Sequence, residues 1–65
     1  MRKDITKVVI IKSSGEYFWY KYRIGSVYHV YGNIDELMKM KKGDTLYCTE
    51  NSFSINFEDV IFITN

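Results

Sequence analysis

His29 and Cys48 are the only histidine and the only cysteine among 65 residues, and they are the natural place to look for chemistry. A zinc site takes about three or four protein ligands, so His and Cys alone cannot build one within a single chain. Used as nucleophile and base, the two would also need an orienting group and an oxyanion hole, and the sequence indicates neither. Carboxylates stand at Asp4, Glu16, Asp35, Glu36, Asp44, Glu50, Glu58 and Asp59. General acid/base work needs two of them converging across a cleft, yet the adjacent pairs are already accounted for by a helix start and a turn. The four glycines are dispersed, so no phosphate-cradling loop is present. The expectation is a protein without catalytic residues, metal or cofactor, with Cys48 a small core residue and His29 packed along a strand with one ring nitrogen hydrogen-bonded.

Residues 17–31, Tyr-Phe-Trp-Tyr-Lys-Tyr-Arg-Ile-Gly-Ser-Val-Tyr-His-Val-Tyr, hold most of the aromatic side chains. In an extended segment, consecutive residues point to opposite sides. Some of Tyr17, Phe18, Trp19, Tyr20 and Tyr22 are therefore expected to face outward. Aromatics alternating with cations in Trp19-Tyr20-Lys21-Tyr22-Arg23 suit two tasks. They can stack the bases of a single strand while gripping its phosphates, or anchor a protein interface, where Trp, Tyr and Arg recur as hot-spot residues. The structural alternative is that Phe18 and Trp19 cap the core while the other rings lie flat over it.

The totals constrain the partner. Nine Lys and Arg against eight Asp and Glu give a net charge of +1, which lacks the long-range positive field of a dedicated duplex-DNA binder and excludes an acidic DNA mimic. An apolar content of 46% belongs to a folded domain, and residues 1–65 read as one. A chain this short buries only about 60% of its unfolded surface, so a dense core or a partner subunit is needed; a lone cysteine allows no internal disulfide. One unpaired thiol and no apolar stretch after Met-Arg-Lys-Asp point to a cytoplasmic protein without a membrane segment.

Along the chain, residues 1–4 are polar and expected to fray. Thr6-Lys7-Val8-Val9-Ile10-Ile11-Lys12 is a β-branched run, apolar on both faces, and predicts a strand covered on both sides or wrapped around a small barrel. Ser13-Ser14-Gly15-Glu16 is a turn with Gly15 free to take positive φ. A second strand follows over Val27-Tyr28-His29-Val30-Tyr31, with a bend at Gly25. Asn33 with Glu36 resembles a capping box, predicting a short helix that docks Ile34, Leu37 and Met38 on the sheet and stops at Gly43. Alternatively, Met38-Lys39-Met40-Lys41 is period-two alternation running into a Lys42-Gly43-Asp44 turn. Residues 45–50 and 53–57 predict two further strands joined at Asn51-Ser52. The alternation of the second assigns Phe53, Ile55 and Phe57 to the core and Ser54 and Asn56 to solvent. Glu58-Asp59 is a tight or 3₁₀ turn before a last strand over residues 60–64.

Five short strands, one short helix between the second and third, a long early excursion and a tight turn before the last strand predict a mostly-β, strongly bent barrel. The order resembles the SH3-like barrels, with residues 13–23 as their long first loop. Ile11-Lys12-Ser13, Trp19-Tyr20, Ile24-Gly25 and Phe57-Glu58-Asp59-Val60 resemble a group of small SH3-like proteins of phages and prophages of Gram-positive bacteria, over about two-thirds of the chain. Residues 33–44 depart from that pattern by their length. The resemblance implies no shared catalytic residues and a role in binding a host protein. Proline-rich ligands are not expected, because the loop carries Lys21 and Arg23 with only Glu16. The functional expectation is a non-enzymatic module that binds a host or defence protein through Tyr17, Trp19, Tyr20, Lys21, Tyr22 and Arg23, and that can also form a homodimer. The alternatives are a single-stranded nucleic-acid binder using the same residues and a sponge for a nucleotide-like small molecule.

Overall fold

The β-branched run forms β1 (Ile5–Ile10), the middle strand of a three-stranded antiparallel sheet in a computed structural model that describes residues 4–63. Residues 1–3 of the segment expected to fray, and Thr64 of the expected last strand, lie outside the described residues. On one side β1 pairs with β2 (Val27–Tyr31), with Val8 opposite Tyr28 and Val9 opposite Val27. On the other it pairs with β5 (Val60–Ile63), with Val8 opposite Phe62 and Ile10 opposite Val60. Because strand side chains alternate, Thr6, Val8 and Ile10 share one face with Val30 and Val60, and all five are buried. The opposite face carries Ile5, Lys7 and Val9. The expectation of cover on both sides is therefore corrected: Val9 is only half-buried, and Ile5 and Ile11 are exposed.

A two-stranded antiparallel ladder, β3 (Thr45–Tyr47) with β4 (Ser54–Asn56), pairs Leu46 with Ile55 across the core. Both strands are shorter than their apolar patterns predicted. At Cys48 the chain turns toward β2, forming a bridge with Val30, and Thr49 N–H donates to His29 C=O at 2.8 Å. The connection spans residues 48–53, with Ser52 at φ 64 and Phe53 N–H held by the Asn51 side chain at 3.0 Å. Strand β4 thus starts one residue later, which moves Phe53 beyond the edge of the core and leaves it 54% exposed. Phe53 is a correction to the expected core; Ile55 is fully buried as expected. Phe57 is half-buried in a 3₁₀ turn, Phe57–Asp59, with its ring 5.8 Å from that of Phe62.

Between β2 and β3 the expected helix is present but much shorter. It covers Ile34–Leu37, α1, with Asn33 as N-cap accepting from Glu36 N–H at 2.9 Å. One turn is too little to propagate alone, and Asp44 competes for the backbone that would continue it, its carboxylate accepting from Lys41 N–H at 3.1 Å. The chain therefore leaves the helix at Met38 and turns at Lys41 to Asp44, where Gly43 takes φ +101. Gly43 serves this turn and does not end the helix, and Met38 points outward. Only Leu37 of α1 is buried. Among the described residues no helix is long and apolar enough to cross a membrane.

The buried core is small: Val8, Ile10, Tyr20, Val30, Leu37, Leu46, Cys48, Ile55 and Val60, with Phe18, Trp19, Tyr28, Met40 and Phe62 packed against it. Gly15, expected at positive φ, does not adopt it; its lack of a side chain instead admits the Phe18 ring, which a Cβ would meet at 2.5 Å. Gly32 takes φ +121, and a Cβ there would also meet Leu37 at 2.9 Å. Gly25 takes φ +94 in open space. Alanine at Gly25 is expected to cost only the backbone strain of about 1–2 kcal/mol. Alanine at Gly32 adds displacement of a buried leucine, so its urea midpoint should fall further. Equal losses at the two positions would show that Leu37 does not pack there.

Candidate functional site

The long connection between β1 and β2 is held to the turn before β5 by one buried carboxylate. Asp59 is fully buried, and its Oδ2 accepts from Ser14 N–H at 3.1 Å, Ser14 Oγ–H at 3.0 Å and Tyr20 O–H at 2.5 Å. Its backbone carbonyl accepts from Ile11 N–H at 2.8 Å. The Tyr20 oxygen accepts in turn from Asn56 N–H at 3.1 Å, and the Asn56 side chain donates to Ser14 Oγ at 3.2 Å. Charge-assisted bonds to a carboxylate are stronger than neutral ones, and burial adds to that. Desolvation first, and the bond to Asp59 second, push the Tyr20 phenol well above its ordinary value.

Within this clasp the chain does not run as an extended strand. Phe18 N–H donates to Gly15 C=O, Lys21 N–H to Phe18 C=O, Arg23 N–H to Tyr20 C=O and Ser26 N–H to Arg23 C=O, so residues 15–26 form a succession of turns. Simple alternation therefore does not govern which rings face outward. Phe18, Trp19 and Tyr20 turn toward the core, whereas Tyr17, at 92% exposure, and Tyr22, at 88%, face solvent. Arg23 is exposed, and the half-buried Lys21 places its Nζ 5.2 Å from the centre of the Tyr22 ring.

Tyr20 is accordingly removed from the expected binding surface: it is 1% exposed, and its hydroxyl is used in the clasp. Trp19 is half-buried and makes edge contacts with Tyr20 and Tyr28 and a tilted one with Phe53, at centroid distances of 5.3–5.6 Å. Its indole N–H donates to Ser54 C=O at 2.8 Å, which ties the loop to β4. A groove of about 340 Å³ lies along this seam, lined by Tyr17, Phe18, Trp19, Tyr20, Phe53, Ser54 and Asn56. Sequence reasoning missed the contribution of β4. Its alternation correctly separated Ile55 from Ser54 and Asn56, but carried no sign that the loop would fold across the strand's end and take Phe53 into an aromatic cluster.

The second grouping is built on Glu50. Its carboxylate accepts from the His29 backbone at 3.1 Å, meets His29 Nδ1 at 2.8 Å, and accepts from the Cys48 thiol and the Thr49 hydroxyl, each at 3.2 Å. The expected hydrogen bond to one His29 ring nitrogen is present. The acid sits between the two groups that a nucleophile–base pair would join, and the thiol is buried. Desolvation pushes that thiol up, away from thiolate. The bond from the His29 ring outweighs a smaller desolvation effect and, with the other donors, holds Glu50 at about 2. Among the described residues no three His, Cys, Asp or Glu side chains gather as a metal ion would require.

Comparison with family models, with curated proteins and with solved structures returned no match to this chain.

Two outcomes are expected. Tyr20→Phe leaves Asn56 N–H and Asp59 each short of a partner, at about 1–3 kcal/mol, read from urea denaturation. Because folding holds the Tyr20 phenol protonated above its ordinary 10.0, stability is full below that pH and declines above it as the unfolded state ionises. Tyr20→Phe should therefore flatten the alkaline limb of stability against pH. At the acid end, the contribution of Glu50 is present above its ordinary 4.5 and is lost as pH falls toward 2. Its side chain is 43% exposed, so Glu50→Gln should flatten that limb by under about 1 kcal/mol, and an unchanged acid limb would show the pair to be idle.

Proposed function

We propose that this chain is a non-enzymatic interaction module on a small SH3-like barrel, encoded by a phage or prophage of Gram-positive bacteria, which binds and modulates a host or defence protein in the host cytoplasm. Support for the barrel comes from the neighbour relations. Strand β5 pairs with β1, β1 with β2, β2 touches β3 at the Val30–Cys48 bridge, and β3 pairs with β4. The long clasped loop after β1 and the 3₁₀ turn before β5 stand where the resemblance places them.

The observation that carries the functional proposal is the division of labour among the rings. Trp19 and Tyr20 are fixed by bonds to Ser54 and Asp59, and they hold Tyr17 and Tyr22 outward on either side. Exposed rings on a pinned backbone offer large contact area at low ordering cost, and beside Arg23 they supply the residue types that dominate hot spots. The binding surface is then Tyr17, Trp19, Lys21, Tyr22 and Arg23 with Phe53 added and Tyr20 as its support. A net charge of +1 favours a protein over a polyanion. The Lys21 to Tyr22 contact, with Arg23 beside it, favours a second reading, a single-stranded nucleic acid stacked on Tyr22.

Immobilised protein incubated with Gram-positive lysate should retain a specific host protein, and Tyr17→Ala with Tyr22→Ala should reduce retention at least about tenfold. Both side chains are almost fully exposed, so the variant should keep the circular dichroism spectrum of the parent. Undiminished retention removes the loop from the interface. Binding of a labelled single-stranded oligonucleotide that weakens with salt, with a slope flattened by replacing Lys21 and Arg23, would select the second reading instead.

A further inference from the structure

The groove between the loop and β4 has its hydrogen-bond donors turned inward. The Trp19 indole N–H is given to Ser54 C=O, the Tyr20 hydroxyl to Asp59, the Asn56 backbone N–H to the Tyr20 oxygen, and the Asn56 side-chain amide to Ser14. What is left for a ligand is of the opposite kind. Ser54 Oγ and Asn56 Oδ1 make no hydrogen bond among the described residues. Aromatic rings supply the rest of the lining, and no charged side chain takes part. Trp19 meets Tyr20 and Phe53 at 83° and 56°, so neither neighbour is stacked flat upon it.

Charge points the same way. Asp59 stands one hydrogen bond behind the Tyr20 wall, fully buried, and has no ion-pair partner among the described residues. A buried carboxylate without a cation is costly, and its field carries through a wall of low dielectric. The loop's own cations do not answer it. Lys21 places its Nζ 5.2 Å from the centre of the Tyr22 ring, and neither Lys21 nor Arg23 lines the groove. That contact is also an internal precedent for a cation resting on a tyrosine of this loop.

On the protein-interaction reading of this same surface, we propose that the groove receives an arginine side chain of the partner protein, its guanidinium lying against the Tyr17, Trp19 and Phe53 rings and donating to the side-chain oxygens of Ser54 and Asn56. A guanidinium carries five N–H donors and no acceptor, so it complements a site whose own donors are spent. It is flat, stacks on aromatic faces and sheds water more readily than an ammonium, which favours it over lysine. A phosphate or carboxylate would instead meet ring faces backed by Asp59, with no cation in the lining to hold it. The groove, at about 340 Å³, lies at the small end of the range for compact ligands, which suits one inserted side chain.

Acetyl-arginine methylamide titrated into isotope-labelled protein should shift the Trp19 indole N–H and the Asn56 side-chain amide resonances, with a Kd on the order of 10 mM. The citrulline counterpart keeps the shape and loses the charge, so it should not bind. Phe53 is 54% exposed, and Phe53→Leu keeps an apolar side chain while removing the ring. Its circular dichroism should match the parent, and its Kd for the arginine probe should rise at least about threefold. The titration uses no host protein, so it can fail while lysate retention through Tyr17 and Tyr22 stands. Equal shifts with citrulline, tighter binding of acetyl-glutamate methylamide, or shifts confined to residues around Tyr22 would each overturn the arginine assignment, as would the absence of any shift at about 100 mM probe.

Discussion

One buried carboxylate organises this molecule. A domain with nine buried core residues among those described has little surplus apolar area with which to hold a sixteen-residue connection against its own entropy, and a polar knot centred on Asp59 does so instead. Its three donors to Oδ2 arrive from Ser14 and Tyr20 in the connection, while Asn56, at the end of β4, locks the phenol from the other side. The remaining oxygen, Oδ1, is buried without a hydrogen-bond partner among the described residues. Such a site is directional where hydrophobic packing is not, so it sets the loop's conformation as well as its attachment.

The same constraint explains how a small core supports so many rings. Tyr20 is a core side chain whose oxygen is part of the knot, and Trp19 bridges from it to β4 through stacking and the bond to Ser54. Once those two are committed, the tight turns on either side of them cannot also turn Tyr17 and Tyr22 inward. The exposed rings are thus a geometric result of anchoring their neighbours. Phe53 completes the arrangement from the far strand, packing on Trp19 at a point where β4 has already left the core.

Much of the fold was legible in the residues. The β-branched run of β1, the Asn33 cap, the burial of Ile55 and Cys48 and the turn before β5 all follow from local rules of alternation, capping and size. The misplacements share a cause. Period-two reasoning was applied to residues 17–23, which are bonded as turns, and this made Tyr20 a candidate for the surface. Extending the capping signal to Gly43 overlooked Asp44, whose side chain captures the backbone at Lys41. Assigning Phe53 to the core treated the hairpin turn as two residues when Asn51 and Ser52 shape a longer one. The partnership of Asp59 with Tyr20 spans 39 residues, and no local pattern announces it. Which of the six candidate positions are buried and which are exposed therefore depended on a distant acid.

The placement of β1 has a bearing on how the molecule breathes. It pairs with β2 and with β5 across some fifty residues of chain, Ile10 facing Val60, so neither neighbour can detach without wetting Val8 and Ile10. The loop is tied to Asp59, immediately before β5, which attaches the aromatic segment to the same indivisible unit. Amide exchange in the loop should then track global unfolding more closely than its position in a surface connection suggests, and the rings it displays are held by the stability of the whole sheet.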